Sequence, residues 1–166
     1  MKKMLIVVYS WSNGNTLRIA DLLQKATGAD MERIDTVKPY PSDYNTTVSL
    51  GQREVESGFR PEIRPLQNNP EDYEVIAVGT PTWWYTMAPA VRTFLESTDF
   101  SGKTLIPFMT NGGWPGHVLK DMKNAAKGAD IRFGLQVKFD STGGSTMETP
   151  LKTVTDWAKQ AADFIR

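Results

Sequence analysis

The most informative stretch of the sequence runs from an apolar strand through a polar loop into a helix, and it reads Met4-Leu5-Ile6-Val7-Val8-Tyr9-Ser10-Trp11-Ser12-Asn13-Gly14-Asn15-Thr16. The continuous apolar run is typical of a strand that is covered on both faces of a parallel sheet. Apolar residues then recur at helical spacing from Leu17 to Leu23. This spacing predicts a helix that begins near Asn15 or Thr16.

The loop between strand and helix has the chemistry of an anion site. The first N–H groups of a helix have no acceptor within the helix, and the helix dipole places partial positive charge there. The loop adds hydroxyls, amides and a permissive glycine, at Ser10, Ser12, Asn13, Gly14, Asn15 and Thr16. One interpretation is a phosphate site without a cationic side chain. The other is an ordinary helix cap, formed by Ser12 or Asn13, that binds nothing.

Known phosphate motifs do not choose between these interpretations. The sequence has no G-x-x-x-x-G-K-[ST] motif, which argues against a P-loop nucleotide hydrolase. It also has no G-x-G-x-x-G motif, the usual dinucleotide fingerprint.

The tryptophans favour a bound ligand. Four of the five, Trp11, Trp83, Trp84 and Trp114, directly follow predicted parallel strands, and Trp157 lies on a predicted helix. The carboxyl ends of parallel strands meet at one edge of a sheet, so the four indoles converge in space. A flat aromatic ligand would stack there, and stacking on an aromatic side chain is worth about 1–3 kcal/mol per base in nucleic-acid complexes. A phosphate at one end and an aromatic ring system at the other describe flavin mononucleotide (FMN).

The rest of the pattern predicts the sheet that this site needs. Further strands are expected near Asp30 to Ile34, Val75 to Gly79, Thr104 to Met109 and Ile131 to Phe139. Helices are expected over Tyr44 to Ser57, Ala88 to Ser97, the residues following His117, and Pro150 to Arg166, where Leu151 is expected to be buried. Pro107 argues against a regular central strand, because it cannot donate to the ladder. Alternating strands and helices predict a single domain over residues 1–166, a three-layer α/β/α sandwich around a five-stranded parallel sheet.

Composition excludes several classes of function. Zero cysteines exclude disulfides, thiol catalysis and iron–sulfur ligation, and His117 is the single histidine, which cannot build a zinc site. Equal numbers of cationic and anionic residues, 19 each, give no reason to expect nucleic acid or a membrane as partner. No stretch is long enough to span a membrane, and the short apolar run after Lys3 is not followed by a signal-peptide cleavage site. We therefore expect a cytoplasmic protein.

Three loops together resemble the flavodoxin family. Ser10 to Thr16 resembles the phosphate loop of flavodoxins, and Pro81-Thr82-Trp83-Trp84 resembles a branch of flavodoxin-like proteins with a Pro-x-Trp-Trp loop. Thr110-Asn111-Gly112-Gly113 matches the glycine-rich third loop of that branch. The resemblance covers nearly the whole chain. It implies noncovalent FMN binding and the strand order 2-1-3-4-5 that is known for flavodoxins.

The resemblance also implies roles for individual residues. Ser10, Ser12, Asn13, Asn15 and Thr16, with the backbone from Trp11 to Thr16, are expected to hold the phosphate. Trp84 is the first candidate to stack on the isoalloxazine, and Tyr85 and Trp114 are the others. Backbone groups of Thr82 to Tyr85 and Thr110 to Gly113 are expected at the pyrimidine edge and N5. The implied cofactor-binding set is Ser10, Trp11, Ser12, Asn13, Gly14, Asn15, Thr16, Pro81, Thr82, Trp83, Trp84, Tyr85, Thr110, Asn111, Gly112 and Gly113.

The resemblance favours an electron carrier. Two differences from familiar flavodoxins leave an enzyme as the alternative. Familiar flavodoxins are strongly acidic and this chain is balanced; Thr80 to Met87 also contains no Gly or Asn, so a positive φ beside the flavin would be costly. The alternative is an NAD(P)H-dependent FMN quinone reductase. A phosphoacceptor receiver domain is disfavoured, because Tyr9-Ser10 and Gly79-Thr80 stand where its carboxylates would be. The expected partners are redox proteins or a small electron acceptor, for a monomer or homodimer.

Overall fold

The apolar run forms the central strand of the sheet, as predicted. In the computed structural model, which describes residues 1–11 and 13–166, strand β1 (Met4–Val8) has five buried side chains, and helix α1 (Asn15–Thr27) follows it. The other strands are β2 (Asp30–Arg33), β3 (Val75–Trp83), β4 (Thr86–Met87), β5 (Thr104–Asn111), β6 (Asp130–Ile131) and β7 (Leu135–Lys138). The other helices are α2 (Tyr44–Ser57), α3 (Pro89–Ser97), α4 (Val118–Ala125) and α5 (Leu151–Ile165), with a 3-10 turn at Pro70–Asp72.

The sheet has the flavodoxin-like order. Strand β1 lies between β2 and β3, with Ile6 opposite both Met31 and Ala77, and β5 lies on the far side of β3. Strands β6 and β7 both pair with β5 and are two halves of the fifth parallel strand. The predicted order 2-1-3-4-5 is therefore confirmed. Short β4 is an antiparallel addition to the end of β3.

Helices cover both faces of the sheet, which gives the predicted three layers. Leu5 and Val7 pack into a cluster with Val91 of α3 and Met122 of α4. Ile6 and its alternate neighbours in β1 pack on the opposite face with side chains of α1 and α5, among them Ile19, Val154 and Trp157. This alternation follows from the two-residue period of a strand.

Pro107 is accommodated by a break in the neighbouring strand. Strand β5 runs regularly through Pro107, which pairs with Val78 of β3. On the other side, Leu105 accepts a hydrogen bond from the N–H of Arg132 at 3.0 Å, and Asn111 accepts one from Phe139 at 2.7 Å. The missing N–H of Pro107 points to that same side, between β6 and β7. The single fifth strand expected near Ile131 to Phe139 is therefore split, because no ladder bond can form opposite the proline.

Helix α5 buries its predicted apolar face except at its first residue. The expectation that Leu151 is buried is wrong, since it is 54% exposed. Leu151 lies one turn before Val154, the first buried residue of α5. The apolar stripe thus extends past the part of the helix that packs on the sheet.

None of the helices in the described part of the chain has both the length and the apolar character needed to cross a bilayer. The cytoplasmic location stays a prediction.

Candidate functional site

A cavity of about 300 Å³ opens at the carboxyl edge of the sheet. Its walls come from the carboxyl ends of β3 and β5, the loops after β1, β3, β5 and β7, the start of α1 and one side of α2. The residues predicted from sequence that line it are Trp11, Asn13, Asn15, Thr16, Pro81, Thr82, Trp83, Trp84, Thr110, Asn111 and Gly112. Three loops that are distant in sequence therefore meet at one cavity, as the strand order requires.

The loop after β1 presents the start of α1 to the cavity. Gly14 precedes the helix with φ of 74°, a conformation that suits glycine. The Ser10 hydroxyl accepts a hydrogen bond from the Leu17 N–H at 3.4 Å, so Ser10 satisfies one of the free helix donors rather than lining the cavity. Buried Thr16 shares a 2.8 Å hydrogen bond with the Thr110 hydroxyl, which joins this loop to β5. The predicted ligand Ser12 lies outside the described residues.

The two asparagines of this loop hold the loop after β7. Asn15 donates from Nδ2 to the carbonyl of Gly144 at 3.0 Å, and Asn13 donates from Nδ2 to the carbonyl of Gly143. One donor of each amide is thus used within the protein, and the other remains for a ligand. We call this pair of contacts the Asn clasp.

Asp140 organises the loop after β7, whose carbonyl groups accept the two hydrogen bonds of the Asn clasp. Its carboxylate accepts hydrogen bonds from the Thr142 hydroxyl at 2.6 Å and from the backbone N–H groups of Gly144 at 2.8 Å and Thr146 at 3.0 Å. These donors, the Thr142 hydroxyl foremost, hold the pKa of Asp140 below its ordinary value. Among the described residues that line the cavity, Asp140 is the one that carries a formal charge at neutral pH.

The turn after β3 has an unusual backbone. Trp83 pairs with Thr86, so Trp84 and Tyr85 form a two-residue turn, and their φ angles are 50° and 70°. Positive φ at both central positions defines a type I′ turn, which normally contains Asn-Gly. Holding a non-glycine residue there costs about 1–3 kcal/mol. The positive φ that the residue types argued against is therefore present.

Neighbouring elements hold this turn in place. The Tyr85 carbonyl accepts a hydrogen bond from the His117 N–H at 2.9 Å. Gly116 lies so close that an added Cβ would be 2.1 Å from the Tyr85 carbonyl oxygen. Asp121 of α4 accepts hydrogen bonds from the Thr86 hydroxyl and from His117 Nδ1. The strained turn is thus clamped from outside the cavity.

Aromatic side chains form one wall of the cavity. Trp83 packs edge-on against Tyr9, Trp11 and Tyr40, with ring centroids 5.8, 6.3 and 5.1 Å away. Trp11 lies 5.8 Å from Tyr44 at an interplanar angle of 30°. Trp83 is therefore a supporting side chain of the wall rather than an isolated stacking surface.

Tyr40 anchors this wall. Its hydroxyl donates to Glu54 Oε1 at 2.6 Å. Burial, and then that hydrogen bond to a carboxylate, raise the pKa of Tyr40.

The stacking candidates separate in the structure. Trp84 lines the cavity with 38% of its surface exposed, whereas Tyr85 and Trp114 are outside the lining, at 53% and 58% exposure. In the third loop, buried Asn111 donates a hydrogen bond to the Val137 carbonyl at 3.1 Å and accepts one from the Gly113 N–H at 2.8 Å. Gly112 lines the cavity, and Gly113 and Gly14 do not.

Comparison with known proteins agrees with this geometry. Residues 3–148 match the family model described as Flavodoxin. The chain belongs to the flavodoxin family. A crystal structure of a candidate flavoprotein from Bacteroides eggerthii is 28% identical, with a TM-score of 0.77 over 99% of this chain and 98% of that chain.

More distant structures share the flavodoxin fold. A Lactobacillus acidophilus flavoprotein in complex with FMN is 22% identical, covers 82% of this chain and 93% of that chain, and has a TM-score of 0.68. A flavodoxin from the domain Archaea is 16% identical, covers 98% of both chains and has a TM-score of 0.56. A comparison with curated proteins found no match.

The sequence of this flavodoxin did not reveal two parts of the site. Four residues of α2 line the cavity, namely Tyr44, Thr47, Val48 and Gly51. Four residues of the loop after β7 also line it, namely Phe139, Asp140, Gly143 and Gly144. The second group had a signal, since Gly143-Gly144 follows the fifth parallel strand and so lies at the same edge. Helix α2 had none, because its buried residues, Thr47 and Gly51, do not form an apolar stripe.

Proposed function

We propose that this flavodoxin binds FMN noncovalently in the cavity and acts as an electron-transfer protein. The observation that carries the proposal is the pairing, within one cavity, of a helix N-terminus and an aromatic wall. The FMN complex of the Lactobacillus acidophilus flavoprotein, which shares the fold, supports the same cofactor.

The residues present fit the two ends of FMN. At the α1 end, backbone N–H groups, the Thr16 hydroxyl and the remaining amide donors of Asn13 and Asn15 would hold a phosphate without a cation. At the other end, Trp84 and the Trp11–Tyr44 pair offer ring faces for stacking. Gly112 allows the backbone after β5 to approach the ligand closely.

Bound FMN supplies the redox chemistry, because its ring system accepts and releases electrons. The chain would position the ring and set its electrostatic environment. Because the described lining residues include no cation, the cavity offers no charged partner to an additional negative charge on the ring. We therefore propose that the protein lowers the reduction potential of FMN relative to free FMN.

The second candidate is an NAD(P)H-dependent FMN quinone reductase. The observation that favours it is the open mouth of the cavity, where Tyr44 is 55% exposed and Trp84 is 38% exposed. These rings could admit a second flat ligand beside the flavin. Stopped-flow mixing of the FMN-loaded protein with NADH or NADPH separates the two functions. A carrier is reduced slowly, whereas a reductase is reduced at least as fast as it turns over with a quinone.

The cofactor test is a binding titration. We would add FMN to the purified chain and follow flavin fluorescence and the absorption spectrum after desalting. Riboflavin, which lacks the phosphate, is the matched ligand control, and we expect it to bind at least tenfold more weakly. Equal affinity for riboflavin would contradict a phosphate at the start of α1, and no retained FMN would overturn the proposed function.

A further inference from the structure

The loops around the cavity contain two Asn-Gly pairs. Asn13-Gly14 lies directly before α1, and Asn111-Gly112 spans the carboxyl end of β5. In an Asn-Gly pair the glycine has no Cβ, so its backbone nitrogen can approach the preceding side-chain amide with little steric hindrance. Such pairs are therefore prone to spontaneous deamidation, unless the structure holds the asparagine still.

We propose that Asn13 is a site of spontaneous deamidation that disables the α1 end of the cavity. The Gly14 backbone nitrogen bonds to Asn13 Cγ, the Cγ–Nδ2 bond breaks, and ammonia leaves. Water then opens the cyclic imide to aspartate or isoaspartate. The reaction consumes water, releases ammonia, needs no oxidant and leaves one extra negative charge at neutral pH.

The surroundings of the two asparagines differ in the way that this reaction requires. Asn13 is exposed, and the described part of the chain holds its carboxamide at one end, through the contact of Nδ2 with the Gly143 carbonyl. Asn111 is 8% exposed, and its Nδ2 donates to Val137 while its Oδ1 accepts from Gly113. Its carboxamide is thus held at both ends, so it cannot rotate toward the Gly112 nitrogen. The structure predicts fast deamidation at Asn13 and protection at Asn111.

The product breaks one of the two contacts of the Asn clasp, between Asn13 and Gly143. Deamidation replaces the Nδ2 donor of Asn13 by a carboxylate oxygen, and this oxygen would face the Gly143 carbonyl oxygen. A hydrogen bond therefore becomes a repulsion between two acceptors. The isoaspartate product also adds a methylene to the backbone directly before α1. Both changes weaken the attachment of the Asn13 loop to the loop that Asp140 organises, while the contact of Asn15 with Gly144 remains.

The effect on the cofactor rests on the proposed function. A carboxylate at position 13 would lie at the helix end where we place the phosphate, and two anions there repel each other. Bound FMN would in turn contact the Asn13 side chain and slow its deamidation. The modification would then accumulate in the protein without cofactor.

The first experiment measures the reaction without any cofactor. We would incubate the purified chain at mildly alkaline pH and quantify both Asn-Gly peptides by mass spectrometry, with an isoaspartate assay. In the folded protein we expect Asn13 to convert at least tenfold faster than Asn111, and in concentrated urea we expect similar rates. Equal rates in the folded protein, or an Asn13 that stays intact, would overturn the proposal.

The second experiment measures the consequence for FMN. We expect Asn13→Asp to bind FMN at least tenfold more weakly than Asn13→Gln, which keeps an amide and resists cyclisation. Equal affinities would overturn the proposed loss of the site. A wild-type chain that fails to bind FMN would refute the proposed function alone, because the mass-spectrometric result stands without it.

Discussion

The indole Nε1 of Trp84 donates a hydrogen bond to the backbone carbonyl of Val48 at 2.9 Å. This bond joins the turn between β3 and β4 to α2, and both residues line the cavity. The strained turn and the helix therefore position the Trp84 ring together. Because the bond leaves the ring face free, Trp84 can hold its position and still stack on a ligand.

Replacement of Trp84 separates these two contributions. Trp84→Ala removes the ring face and the N–H donor, and we expect FMN to bind about tenfold to a hundredfold more weakly, as stacking worth about 1–3 kcal/mol implies. Trp84→Phe keeps a ring but loses the donor, so it is expected to retain most of the affinity. Fluorescence titration measures both variants. An unchanged affinity and potential in Trp84→Ala would contradict stacking at this residue.

The contact of Thr86 with Asp121 predicts a remote effect on the site. Both residues are outside the cavity lining, yet their hydrogen bond clamps the strained turn that carries Trp84. Thr86→Val removes the hydroxyl at similar volume, and we expect a several-fold loss of FMN affinity and a shift in its reduction potential. Thermal unfolding is expected to change little, because Asp121 is partly solvated, with 29% of its side chain exposed.

Thr86→Ser is the matched control for this clamp, since it keeps the hydroxyl and is expected to bind FMN like the wild type. If the hydrogen bond acts as inferred, Thr86→Val and Asp121→Ala weaken binding by less together than the sum of their separate effects. Full additivity in this double-mutant cycle would show that the two residues act independently.

Local sequence pattern was enough to predict the parts of the fold that depend on near neighbours. The apolar run of β1 and the helical spacing after Asn15 determined where those elements lie. Strand β5 shows the limit of such reasoning. Pro107 argued against a regular strand, but β5 is continuous and the neighbouring fifth strand is split into β6 and β7. This outcome depends on pairing between residues that are distant in sequence.

The site, like the fold, has parts that the sequence predicts and parts that it does not. The three loops were predictable because carboxyl ends of parallel strands converge. The Asn clasp was not, because it joins Asn13 to Gly143, which is 130 residues away. The turn at Trp84 was also not predictable from residue type, since its positive φ angles depend on the clamp formed by Gly116, His117 and Asp121.

Gly116 is expected to be essential for that clamp. An alanine Cβ at position 116 would lie 2.1 Å from the Tyr85 carbonyl oxygen, so the turn or the start of α4 must move. We expect Gly116→Ala to lower the free energy of unfolding and to weaken FMN binding. Gly28→Ala is the matched control, because Gly28 also has a positive φ, 69°, and its Cβ would meet nothing within 4 Å.

Both substitutions carry the backbone cost of positive φ, about 1–2 kcal/mol. Gly116→Ala is expected to cost about 1–3 kcal/mol more, as overpacking does. Urea unfolding measures the difference. Equal losses of stability in the two variants would mean that the close approach to Tyr85 is relieved without cost.

The Asp140 carboxylate is expected to make stability depend on pH in the acid range. Its hydrogen bonds lower its pKa in the folded state from the ordinary value of 3.8, so the folded protein favours the ionised form. The stabilisation is therefore full above the ordinary pKa and is lost as the pH falls through the folded pKa. We expect Asp140→Asn to be less stable than the wild type at neutral pH, and the difference to shrink below about pH 4.

Asp156→Asn, on the exposed side of α5, is the control, and urea unfolding at a series of pH values measures all three proteins. A constant difference between Asp140→Asn and the wild type across that range would show that the carboxylate charge does not stabilise the loop after β7.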